Sequence, residues 1–72
     1  VPMEKQLKMM EVILYLNKRC KEAVNQGKVV RRIVDTGIFD QVIKMKYDIP
    51  NDNIAKLDTY YHDIDEAINS VA

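Results

Sequence analysis

The chain has 72 residues, of which 47% are apolar and 31% are charged, and its formal net charge is zero. This length allows one domain with a single small core, so its independent stability is expected to be marginal. The composition excludes a disordered chain, and no apolar run approaches the roughly 20 residues that a membrane-spanning helix needs. One cysteine cannot form an internal disulfide, which is typical of proteins from a reducing compartment.

Charge is distributed unevenly along the chain. Residues 1–46 contain ten Lys and Arg against five Asp and Glu, whereas residues 47–72 contain one Lys against six acids. One interpretation is a basic face for nucleic acid or an acidic face for a basic partner. The simpler interpretation is that the last helix packs beside the basic helices with complementary charge.

The first predicted element is a long helix from about Met3 to Gln26, with Pro2 suited to its first turn and Gly27 to the position just past its end. Its apolar residues form two adjacent stripes at helical spacing. An ordinary surface helix needs one stripe, so we predict that one faces the chain's own core and that the second contacts a partner. Tyr15 falls in the remaining polar strip, where it should be half exposed. The first stripe comprises Leu7, Met10 and Leu14; the second comprises Met9, Ile13, Leu16, Cys20 and Val24.

Two short helices are predicted next, at Val29 to Thr36 and at Phe39 to Tyr47. The β-branched residues of the first would also suit a strand, but the i, i+1, i+4, i+5 pairing favours a helix with one apolar side. Gly37 suits the end of this helix, and Pro50 prevents the next one from continuing. The apolar side of the first short helix comprises Val29, Val30, Ile33 and Val34.

The last predicted element is a helix from about Asp52 to Val71, which Asn51 or Asp52 can cap. Its apolar residues recur at 3,4 spacing and form one narrow stripe. The fold class is therefore all-α: a small helical bundle with a long N-terminal helix, a short helical hairpin and a long C-terminal amphipathic helix, forming a single domain over residues 1–72. The stripe comprises Ile54, Leu57, Tyr61, Ile64, Ile68 and Val71.

No arrangement of residues indicates catalysis, a cofactor site or a metal site. The two glycines stand alone, so there is no glycine-rich phosphate loop. His62 has Asp58 and Glu66 one turn away on either side, but all three lie on one helix, and an imidazole held by carboxylates is the simpler interpretation. Cys20 lies in an apolar stripe and is expected to be a small buried hydrophobe.

The basic residues of the hairpin leave several alternatives open. They are a solvated face, a contact with a partner protein, or part of a helix-turn-helix that binds DNA. DNA binding is disfavoured because the second short helix offers few base-reading groups and the sequence pI is about 6.7. The basic residues are Arg31, Arg32, Lys44 and Lys46.

Two segments carry a family resemblance. Lys5-Gln6-Leu7-Lys8-Met9-Met10 opens the long helix, and Ile43-Lys44-Met45-Lys46-Tyr47-Asp48-Ile49-Pro50 leads into the closing amphipathic helix. This pattern resembles the C-terminal helical domain of the catalytic A subunit of V-type (archaeal and bacterial A/V-type) ATPases. The middle turn, residues 35–40, departs from the proline or extra arginine that is usual in the family.

The resemblance implies that the chain is a C-terminal fragment of a larger subunit whose nucleotide-binding domain precedes Val1. The fragment would then be no enzyme by itself and would bind no cofactor, while its parent would hydrolyse or synthesise ATP. Its function would be mechanical, coupling the nucleotide site to the central rotor stalk for proton or sodium transport. It would be cytoplasmic, and peripheral to the membrane within a complex.

The implied partners are the stalk subunits and the rest of the same catalytic chain, without nucleic acid or direct membrane insertion. The isolated fragment could also form a homodimer through the first helix. The alternative is a free-standing helical protein-interaction domain or a helix-turn-helix regulatory domain. The predicted partner-contact residues are Met9, Ile13, Leu16, Arg31, Arg32, Lys44 and Lys46.

Overall fold

The computed structural model describes residues 3–48 and 57–71. It contains α1 (Met3–Asn25), α2 (Val30–Asp35), α3 (Ile38–Asp48) and α4 (Leu57–Asn69). The predicted all-α architecture and the order of its elements are confirmed, and the segment that also suited a strand is a helix. The predicted N-cap at residues 51–52 and Ile54 lie outside the described residues, as does the side chain of Lys46.

One glycine, Gly27, terminates α1. Gly27 has φ of +88°, a conformation that other residues rarely adopt without strain. Its N–H donates to the carbonyl of Val24 at 3.0 Å, and the N–H of Lys28 donates to that of Ala23 at 3.0 Å. This pair of bonds is the Schellman arrangement, which satisfies carbonyls that have no partner within the helix. The predicted position of Gly27 just past the helix is confirmed.

The core lies between α1 and α4 and is closed by the hairpin of α2 and α3. Tyr15 and Arg19 of α1 contact Asp65 and Asn69 of α4 in the same order, so the two long helices run in the same direction. The hairpin carries the chain back between them. The buried apolar residues are Val12, Leu16, Ala23, Ile33, Ile38, Val42, Leu57, Ile64, Ile68 and Val71.

The interpretation of the two α1 stripes needs a correction. Leu16 of the second stripe is only 3% exposed, and Met9 and Ile13 are half-buried against the core. The first stripe is the uncovered one. The reason is that the core centres on Val12, which belongs to neither predicted stripe and lies on the opposite side of α1 from the first at 100° per residue.

The described residues have no helix with both the length and the apolarity that crossing a bilayer requires.

Candidate partner-binding surfaces

The most extensive apolar surface on α1 faces away from the core. Its side chains recur at 3,4 spacing, so they form one continuous line along the first half of the helix. A contiguous apolar surface of this kind on a monomer usually marks an interaction site. We call it the α1 apolar stripe; its members and exposed fractions are Met3 (73%), Leu7 (54%), Met10 (57%) and Leu14 (62%).

A second surface lies on the hairpin and combines apolar and cationic side chains. Ile33 is the only buried residue of α2. The sequence placed Val29, Val30 and Val34 on the same packed side, but all three are about half exposed. A six-residue helix makes fewer than two turns, so it presents little more than one residue to the core. We call this the hairpin surface: Val30, Arg31, Arg32, Val34, Ile43 and Lys44, all exposed.

The predicted contact residues therefore divide into three groups. Arg31, Arg32 and Lys44 are exposed, as a partner contact requires. Met9 and Ile13 retain part of their surface, whereas Leu16 belongs to the chain's own core. Contact between these residues and a partner stays a prediction.

A polar cluster that joins α1 to α4 is not predicted by the sequence pattern, which places Arg19 and Glu22 in a solvated strip. The Tyr15 hydroxyl donates to Oδ1 of Asp65 at 2.7 Å, and Nε of Arg19 donates to the same oxygen at 3.0 Å. Arg19 also donates to Glu22 at 3.0 Å and to Asn69 at 3.3 Å. The acidic residues of the last helix were the feature of the sequence that could have indicated this cluster. The Arg19–Asp65 ion pair bears out the expected packing of an acidic helix beside a basic one.

Aromatic contact adds to this cluster. The rings of Tyr15 and Tyr61 lie edge to face, with centroids 4.9 Å apart, a geometry that aromatic pairs favour. The bond to Asp65, together with burial, raises the pKa of Tyr15 above its ordinary value of 10.0. Burial is the main cause of the raised pKa of Tyr61. The protonated forms of both hydroxyls are therefore favoured in the folded chain.

Alkaline pH is expected to destabilise the fold through Tyr15. Because its pKa is higher in the folded chain than the 10.0 of an ordinary tyrosine, its contribution to stability is complete below pH 10 and is lost as the pH rises through the folded pKa. Asp65→Asn should move the pKa of Tyr15 back towards its ordinary value, whereas Asp63→Asn should leave it unchanged. NMR titration of the Tyr15 ring between about pH 9 and 12 checks this; an unaltered Tyr15 pKa in Asp65→Asn would contradict it.

Cys20 and His62, the remaining candidate site residues, belong to no larger cluster of reactive or metal-binding side chains among the described residues. Burial raises the pKa of the Cys20 thiol. Cys20, predicted to be buried, is only partly buried and packs against the core. Nε2 of His62 lies 3.2 Å from Oε1 of Glu66, and both side chains are mostly exposed. Within residues 3–48 and 57–71, no three His, Cys, Asp or Glu side chains are grouped so that they could hold a metal ion.

The curated relatives of this chain are subunits of V-type or A-type ATP synthases. The V-type ATP synthase alpha chain 2 of Clostridium tetani is 36% identical over 73 residues, which cover 92% of this chain and 12% of the relative. The chain is homologous to one segment of the V-type ATP synthase alpha chain. The alpha chain of Halothermothrix orenii is 30% identical over 82% of this chain. The A subunit of the A-type ATP synthase of Methanopyrus kandleri is 39% identical over 71%.

The match covers only a small part of each relative. The chain spans about one tenth of their length, with 11% of the Halothermothrix chain and 8% of the Methanopyrus chain covered. No family model and no solved structure matches the chain. The homology thus covers nearly all of this chain and confirms the predicted relation to the alpha chains, or A subunits, of V-type and A-type ATP synthases.

Proposed function

We propose that this chain is the C-terminal helical domain of the alpha chain of a V-type ATP synthase and that it passes nucleotide-driven motion to the central rotor stalk. The observation that carries the proposal is homology over 92% of the chain to an alpha chain about eight times longer. Two uncovered surfaces on one small helical bundle support it, since a coupling element has to contact a neighbour on each side. The catalytic chemistry, the nucleotide and any metal ion would belong to the rest of the alpha chain.

The α1 apolar stripe is proposed to pack against the rest of the alpha chain. It lies on the opposite side of α1 from the core, so covering it would leave the packing of α4 and the hairpin unchanged. Burying a leucine or methionine side chain contributes about 1.5–3 kcal/mol, so four such residues are enough to hold the bundle in place. When the rest of the alpha chain is absent, the stripe is left exposed, and the isolated chain would dimerise through it.

The hairpin surface is proposed to contact the stalk. Three cations and three apolar side chains are exposed there, so a partner with acidic and apolar groups would fit it. Arg31 and Arg32 are the strongest candidates because guanidinium groups form well-oriented paired bonds with carboxylates. In this proposal the complex lies at the membrane periphery, on the cytoplasmic side.

Removing the two hairpin arginines is expected to uncouple the motor. In the assembled ATPase, Arg31→Ala with Arg32→Ala should lower ion transport or rotation per ATP hydrolysed by about tenfold, as expected for lost charged hydrogen bonds. The rate of hydrolysis should fall much less, because in this proposal the nucleotide is bound by the rest of the alpha chain. The matched control is Lys18→Ala with Lys21→Ala, which removes two exposed charges from α1. Equal transport per ATP in both double variants would contradict the proposal.

A further inference from the structure

One residue ties the ends of both long helices together. Lys28 lies in the short link between α1 and α2. Its backbone N–H donates to the carbonyl of Ala23 in the last turn of α1. Its Nζ donates to the carbonyl of Ile68 in the last turn of α4 at 2.7 Å, from a part-buried position. The two helices run in the same direction, so both C-terminal ends meet at this residue.

The electrostatics of this site favour a cation. The final carbonyls of a helix lack donors within the helix and carry the negative end of its dipole. A lysine near a helix C-terminus satisfies both needs at once. The carbonyl of Ile68 also accepts a longer bond of 3.3 Å from the N–H of Val71. Since charged hydrogen bonds are about twice as strong as neutral ones, the contact with Lys28 dominates at this carbonyl.

Val29 and α2, which follow Lys28, make few other contacts that fix their position. Val29 occupies the N-cap of α2 with no side-chain hydrogen bond, and only Ile33 of this helix is buried. Gly27 and Gly37, both with positive φ, flank the segment. A Cβ added at either glycine would meet nothing within 4 Å, so no other part of the chain packs closely at the Cβ position of these two residues. The position of α2 therefore depends on Ile33 and on the attachment at Lys28, whereas α3 is held in the core by Ile38 and Val42.

We propose that Lys28 is a latch that fixes α2, the first helix of the hairpin, to the α1–α4 pair. With the latch closed, a force on the α2 part of the hairpin surface passes to the two long helices. With it open, the same force is absorbed by bending at residues 26–29. This inference rests on the proposed function, in which the hairpin is the element that contacts the stalk, and it makes Lys28 a positioning residue that touches no partner itself.

Amide hydrogen exchange of the 72-residue chain tests the latch. Lys28→Met removes the cation but keeps an unbranched side chain of similar length. The backbone amides of Ile33, Thr36 and Gly37 should exchange about tenfold faster in this variant, while those of Val12 and Leu16 stay unchanged. Lys28→Arg, which can still donate to the carbonyl, should stay within about threefold of the original chain. Unchanged exchange at α2, or an equal rise throughout the chain, would overturn the latch.

Measuring ion transport per ATP hydrolysed distinguishes a failure of the latch from a failure of the proposed function. In the assembled ATPase, Lys28→Met should lower transport per ATP by several fold and Lys28→Arg should restore it. If the double arginine variant lowers the ratio and Lys28→Met does not, the latch is wrong and the coupling role stands. If neither changes the ratio, both are wrong. If only Lys28→Met lowers it, the latch stands and the stalk contact of the two arginines is wrong.

Discussion

Replacing Ile64 with alanine is expected to lower the free energy of unfolding by about 2–5 kcal/mol. The Ile64 side chain is 0% exposed and belongs to the core cluster of the described residues. The change removes three buried carbon atoms and leaves a cavity that its rigidly packed neighbours fill only in part. Small domains have about 5–15 kcal/mol of total stability, so the variant should lose a large fraction of it. Urea unfolding followed by circular dichroism measures the loss.

Two leucines on α1 make the matched control. Leu14 is 62% exposed, so Leu14→Ala should change the free energy of unfolding by less than about 0.5 kcal/mol. Leu16 lies two residues further on and is 3% exposed, so Leu16→Ala should cost about as much as Ile64→Ala. The predicted role of Leu16 as a partner contact would imply a smaller cost in the isolated chain. Equal losses at Leu14 and Leu16 would show that the α1 apolar stripe is part of the core.

Because the α1 apolar stripe is proposed to pack against the rest of a complete alpha chain, placing two charges in it is expected to affect that complete alpha chain far more than the isolated 72 residues. Leu7→Glu with Leu14→Glu changes side chains that are more than half exposed here, so the isolated residues should lose at most about 1 kcal/mol. In the complete alpha chain the same change should cost about 3–6 kcal/mol, because two leucines lose their buried contacts and two carboxylates meet an apolar surface.

The comparison needs a control with the same added charge. Gln6→Glu with Asn17→Glu adds two carboxylates at exposed α1 positions beside the stripe, and its effect should be the same in both contexts. Unfolding of each double variant in both contexts measures the difference. If Leu7→Glu with Leu14→Glu costs no more in the complete alpha chain than in the isolated 72 residues, the stripe is not the surface that docks. Sedimentation of the isolated residues shows whether a second copy covers the stripe instead.

The sequence by itself determined the helices and their order. Gly27 ends α1 because only glycine accepts its backbone conformation without strain, and this is a local property. The narrow stripe of α4 is equally decisive, since Leu57, Ile64 and Ile68 share one side and that side is buried. The exposed cations of the hairpin surface were also predictable, because burying an unpaired charge is costly.

Only the tertiary structure decided which side of α1 faces the core and which polar groups meet across helices. Helical periodicity shows which residues share a face, but α1 has apolar residues around most of its circumference, so periodicity could not choose between its two stripes. The choice depends on where α4 and the hairpin lie, which is set by all the packing contacts together. The bonds of Tyr15 and Arg19 to Asp65, and of Lys28 to Ile68, join residues 40 to 50 positions apart. No local pattern encodes such pairs, because each exists only once the helices have been brought side by side.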